Sequence, residues 1–122
     1  MSKRPDDTWA IELLDGLIPE LNRRTDEANE RIRTFELYLR ENGICIPALV
    51  SVRGPSGFVV FSKMNGEWRV RWGGGDNSDP HDGVPLLECP RYVKLMAMTA
   101  WDTFVASVVE TADRYAKGGV GR

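Results

Sequence analysis

The sequence predicts an α+β domain of order α-β-β-β-α, a three-stranded antiparallel meander with both helices packed on one face. Three observations carry that prediction: an Asn-Gly pair between two alternating runs, a long heptad-spaced helical segment before them, and a strongly apolar helical segment after them. With 122 residues the chain is one domain by size, and 42% hydrophobic against 28% charged residues is enough to bury a core. No run approaches the apolar length of a membrane span. The basic start Met1-Ser2-Lys3-Arg4-Pro5 is followed by acidic, amphipathic sequence instead of an apolar stretch, so a cytoplasmic location is expected.

Residues 1–5 read as a loose tail and 6–42 as a long helix. Asp6, Asp7 and Thr8 offer cap oxygens and favourable negative charge at its start, while Gly16 and Pro19 predict a kink near 16–19 or a break into two helices. Apart from those interruptions, Ile11, Leu14, Ile18, Leu21, Thr25, Ala28, Ile32, Phe35 and Leu39 fall on the alternating three- and four-residue spacing of a heptad seam. From Pro19 to Glu41 such a helix runs roughly 35 Å at 1.5 Å per residue, longer than short strands can cover. An overhanging apolar stripe is therefore expected. It makes a homodimer through this helix the preferred association, with Trp9, Leu14, Ile18, Leu21, Ile32, Phe35 and Leu39 as interface residues. Asn42-Gly43 ends the helix.

The segment 46–72 reads as the sheet. Asn65-Gly66 suits a type I′ turn, which pairs Met64 with Glu67, Lys63 with Trp68, Phe61 with Val70 and Val59 with Trp72. One face then carries Val59, Phe61, Trp68, Val70 and Trp72 as core. The other carries Phe58, Val60, Ser62, Arg69 and Arg71 as an exposed surface, because side chains alternate across a strand. Before Gly54-Pro55-Ser56-Gly57, the run to Arg53 is a strand whose Val52 is expected opposite Val59 and Val50 opposite Phe61, leaving Leu49, Ser51 and Arg53 on the outer face.

Residues 73–89 form an acidic, glycine-rich loop in which Val84 to Leu87 either adds a short edge strand or anchors the loop. From Pro90 the chain is expected to form one helix over 90–117, apolar on more than half its circumference and so buried on two sides.

Charge is segregated: acids dominate the long helix and the 73–89 loop, whereas Arg53, Lys63, Arg69 and Arg71 face only Glu67 in the strands. A local anion site is compatible with that pattern and a general nucleic-acid coat is not. Arg53, Arg69 and Arg71, with Ser51, Ser62 and Phe58, supply the guanidinium forks, hydroxyls and aromatic platform that hold a phosphate and stack a base. They are the candidate ligand-binding residues.

Asp76, Asp79, His81 and Asp82 have no EF-hand spacing, and Gly73-Gly74-Gly75 is followed by no Gly-Lys-Ser/Thr, so neither a metal site nor a cofactor is expected. Cys45 and Cys89 read as free thiols. An enzyme would have to use Cys89 with His81, the single histidine, its thiol activated by a helix N-terminus. No catalytic residue is assigned.

The order helix, three-strand meander, helix, with a Gly54-Pro55-Ser56-Gly57 turn entering a strand, resembles that of double-stranded RNA-binding domains. The lysine cluster which that family carries at the start of its last helix is here reduced to Arg91 and Lys94, so the likeness implies topology alone. The segment from Trp68 to Ala97, with its Gly-x-Trp-x-Val, Pro-Leu and Pro-Arg elements, is similar to small uncharacterised proteins of bacteria and their phages. Together these readings make a non-catalytic binding or inhibitory module the leading expectation, acting through protein contacts or an anionic small molecule on the arginine face. Its partner would be a second copy or a foreign protein. Nucleic-acid binding by the same face and a small cysteine enzyme are the alternatives.

Overall fold

The computed structural model describes residues 6–52, 57–73 and 83–118. It is an α+β fold of three α-helices and a four-stranded antiparallel sheet: α1 (Thr8–Glu41), β1 (Ala48–Val52), β2 (Gly57–Met64), β3 (Glu67–Gly73), β4 (Val84–Pro85), one 3-10 turn (Leu86–Glu88), α2 (Arg91–Met98) and α3 (Trp101–Ala116). The strands lie in sequence order.

Helix α1 runs unbroken through Gly16 and Pro19, as the expected long helix over 6–42, so the alternative of a break into two helices is excluded. Proline costs the helix one N–H donor and crowds the preceding turn, but thirty-four residues of surrounding helix hold the conformation. At the N-terminus Asp6 Oδ1 accepts the Thr8 N–H at 3.0 Å and the Thr8 hydroxyl at 2.6 Å. At the C-terminus Gly43 adopts φ +66°, Ile44 N–H reaches Leu39 O at 2.8 Å and Gly43 N–H reaches Arg40 O at 3.2 Å. That is a Schellman closure, and it turns the chain toward the sheet.

The β2–β3 hairpin has the expected register, Met64 opposite Glu67 through Val59 opposite Trp72, with Asn65 at φ 55° and Gly66 at φ 80°. The β1–β2 register is two residues from the expected one: Val50 lies opposite Val59, Ala48 opposite Phe61 and Val52 opposite Gly57. Four residues separate Val52 from Gly57, so those two become the first pair. A shift of two preserves which side chains face the core.

Gly57 also admits the Trp72 ring, which a Cβ at that position would overlap. A fourth strand appears because Val84 pairs with Trp72 and Pro85 with Arg71.

The expected single C-terminal helix is two. Thr99 closes α2 with its N–H and its hydroxyl both on Met96 O, at 3.0 and 2.6 Å, and Ala100 N–H turns back to Ala97 O. A threonine hydroxyl that satisfies a local carbonyl competes with helix propagation. The break lets two apolar faces point differently: α2 buries Val93 and Ala97, and α3 buries Trp101, Phe104 and Val108. One core joins Ile32 and Leu39 of α1, Val59, Phe61 and Val70 of the sheet, Leu86, and those residues of α2 and α3. Phe35 meets Trp101 and Phe104 edge-on, with ring centroids 5.9 and 6.2 Å away.

Candidate functional site

The arginine face is occupied from within. Alternation places Arg69 and Arg71 on the side of β3 away from the core, as expected, but neither presents a free guanidinium. Arg69 Nε donates to Glu36 Oε2 at 2.9 Å, both side chains largely buried. Arg71 is 3% exposed, and its Nη2 donates to Glu67 O at 3.0 Å while its Nη1 lies 3.5 Å from Gly83 O.

Val60 and Ser62 beside them are buried too, Phe58 is half-buried and Ser51 is exposed. The expectation of an open outer face is thus corrected at Val60, Ser62 and Arg71. Arg53 lies outside the described residues.

A second candidate, Cys89 with His81, is half visible, because His81 and the acids Asp76, Asp79 and Asp82 fall outside the described residues. Cys89 is buried and its Sγ sits 3.6 Å from Pro85 O. Burial, the largest effect, pushes its thiol above the ordinary value; the charge of Lys94 pulls it down and Glu88 pushes it up. A helix N-terminus was expected to activate this thiol, and desolvation outweighs it. Among the described residues no cluster of His, Cys, Asp or Glu is arranged to hold a metal.

The third candidate is the start of α1. The first side chain of α1 that bonds another element is Asn22, whose Oδ1 accepts from Arg91 at 2.6 Å; Arg31 then pairs with Asp102 at 2.8 Å. From Thr8 to Glu20 the helix stands clear of the body, about 20 Å of it at 1.5 Å per residue.

Within that overhang Trp9 is 67% exposed, and Ile11, Leu13, Leu14, Leu17 and Ile18 are all exposed. At about 100° per residue these six fan over about 200° of the helix, with Glu12 and Asp15 opposite. The middle of the arc points the same way as Ala28, Ile32 and Leu39, the residues by which α1 enters the core.

The expected interface therefore divides. Trp9, Leu14 and Ile18 are exposed and Leu21 is half-buried, whereas Ile32 and Leu39 belong to the core and Phe35 packs against it. Even spacing along one helix could not show where the body begins. Leu13 and Leu17 were missed because they flank the heptad seam; six large apolar residues among ten positions were the signal that would have found them.

The body also carries hollows among its described residues. One of about 400 Å³ between α1 and α3 is lined by Phe35, Tyr38, Ile44, Val108, Val109 and Ala112. Another of about 290 Å³ lies between α1 and α2, beside Arg24, Arg31, Leu95 and Met98.

No family model, curated protein or solved structure matches the chain. The expected likeness to double-stranded RNA-binding domains finds no support in these comparisons, and the observed element order adds a fourth strand and divides the last helix. No helix among the described residues is long and apolar enough to cross a membrane.

Proposed function

We propose that the protein is a non-catalytic binding module that works by protein contacts, and that its contact surface is the apolar arc of the α1 overhang. One observation carries this reading: six large apolar side chains stand exposed and contiguous on a helix that leaves the body. A solvated arc of that size is unfavourable by the same hydrophobic term that drives folding, and such surfaces are commonly covered by another chain. The internal use of Arg69 and Arg71 favours protein contacts over an anionic ligand.

Native mass spectrometry of gently purified protein at micromolar concentration tests the reading. The expected result is a second polypeptide on the wild type that is absent from a Leu14→Glu/Ile18→Glu variant of unchanged helicity. A bare monomer in both samples overturns it.

A further inference from the structure

The hollow between α1 and α2 has a chemistry of its own. It holds about 290 Å³, near the lower end of ligand pockets. Ala28, 1% exposed, is the reason: where the two helices face each other, α1 places a methyl group in a position that a larger side chain would fill. Leu95 and Met98, one turn apart on α2 and both half-buried, complete an apolar floor. Met98 adds an adaptable thioether.

The mouth carries guanidinium groups. Arg24 and Arg31 lie four residues before and three after Ala28, which puts both on its face of α1, and both line the hollow. Each is held by one nitrogen: Arg24 Nε donates to Glu20 Oε2 at 3.1 Å, and Arg31 Nη2 donates to Asp102 Oδ1 at 2.8 Å. Arg24 therefore keeps its Nη1 and Nη2 fork, and Arg31 its Nε and Nη1, without an acceptor among the described residues. Glu27 also lines the hollow, and Arg23 engages its carboxylate. All of these ion pairs are exposed, and exposed pairs are weak, so an incoming oxyanion competes with them on near-equal terms.

We propose that this hollow binds a compact amphipathic anion, its apolar body on Ala28, Leu95 and Met98 and its carboxylate or phosphate on the Arg24 fork, with Arg31 as the second cation. The two halves of the lining select such a molecule over either half alone. Covering the floor contributes the hydrophobic term, and a two-donor fork matches two oxygens of one oxyanion. A bare inorganic anion leaves Leu95 and Met98 wetted, and a neutral apolar molecule leaves the fork unused. The site is separate from the overhang, whose exposed arc ends at Ile18, so it adds a small-molecule function to the protein contacts proposed above.

Amide NMR titration of the full chain with phenyl phosphate, benzoate, inorganic phosphate and benzyl alcohol tests the site. The expected result is that phenyl phosphate or benzoate shifts the amides of Ala28, Leu95 and Met98 with a dissociation constant of about 1 mM, about tenfold below those of inorganic phosphate and benzyl alcohol. The tighter of the two names the headgroup. Arg24→Gln, a change at an exposed side chain, is expected to weaken that binding about fivefold and leave the other amides in place. Inorganic phosphate binding as tightly as phenyl phosphate and benzoate means an adventitious ion only and overturns the proposal. Equal binding of benzyl alcohol, undiminished binding in Arg24→Gln, or no shift at those amides up to about 10 mM probe overturns it too. None of these outcomes touches the overhang, so the binding-module reading is tested separately.

Discussion

The Glu36 carboxylate accepts the backbone N–H of Val70 at 2.7 Å, so a helix side chain completes the edge of a strand. In the β2–β3 register the Val70 N–H points away from β2, and β4 reaches only as far as Arg71 and Trp72. Glu36 fills the position a longer β4 would take. The same oxygen holds Arg69, which also approaches Glu67 at 3.9 Å, while Arg40 approaches Glu67 at 3.5 Å.

Removing that carboxylate strands two buried donors. Glu36→Ala is expected to destabilise the fold by about 3 kcal/mol, and Glu36→Gln by less because its carbonyl still accepts one bond. Urea unfolding at fixed protein concentration measures both; equal stability of Glu36→Ala and wild type would refute the role.

Two glycines are required by what lies against them. A Cβ on Gly57 would overlap the Trp72 ring, and one on Gly83 would overlap the Trp72 carbonyl and the Gly73 backbone. Gly57→Ala is expected to cost about 1–3 kcal/mol and to alter tryptophan fluorescence as the ring is displaced. Gly83→Ala meets backbone that cannot swing away, so it should detach β4 and expose the Trp72 amide to hydrogen exchange.

The cysteines should differ sharply in reactivity. Cys45 is exposed, whereas Cys89 is buried with its thiol pushed above the ordinary value, which keeps it protonated near neutral pH. Cys45→Ser is therefore expected to alkylate at least tenfold more slowly than wild type from pH 7 to 8, with full reactivity restored in denaturant. Fast native labelling of Cys89 would reopen the enzyme reading.

Acid should loosen the overhang. The hydrogen bond from Arg23 holds the Glu20 carboxyl below its ordinary value of 4.5, desolvation opposes this, and Arg24 adds to the lowering. A carboxyl whose folded value lies below its unfolded one contributes stability above the unfolded value and loses it as pH falls through the folded value. Helicity by circular dichroism is expected to dip between about pH 5 and 3, and Glu20→Gln should flatten that part of the curve. An unchanged acid limb in Glu20→Gln would exclude Glu20 as its source.

Strong local signals were legible before the structure. Asn65-Gly66 fixed the hairpin register, and Asn42-Gly43 placed the helix end, because each depends on residues adjacent in sequence. The break at Thr99 was not legible, since a threonine in an apolar helical run ends it only where tertiary packing favours the hydroxyl's bond to Met96. Arg69 and Arg71 were placed on the correct face but taken as open to solvent. Their acceptors are Glu36, thirty-three residues before Arg69, and the carbonyls of Glu67 and Gly83, and no local pattern links those positions.

The unbroken course of α1 carries Trp9 thirteen residues beyond Asn22, whose bond to Arg91 ties the helix to the body, about 20 Å of rod. It acts as a lever arm: a tilt of about 10° at that tie sweeps the tip through about 3 Å. The root of the overhang thereby sets the aim of the tryptophan at its end.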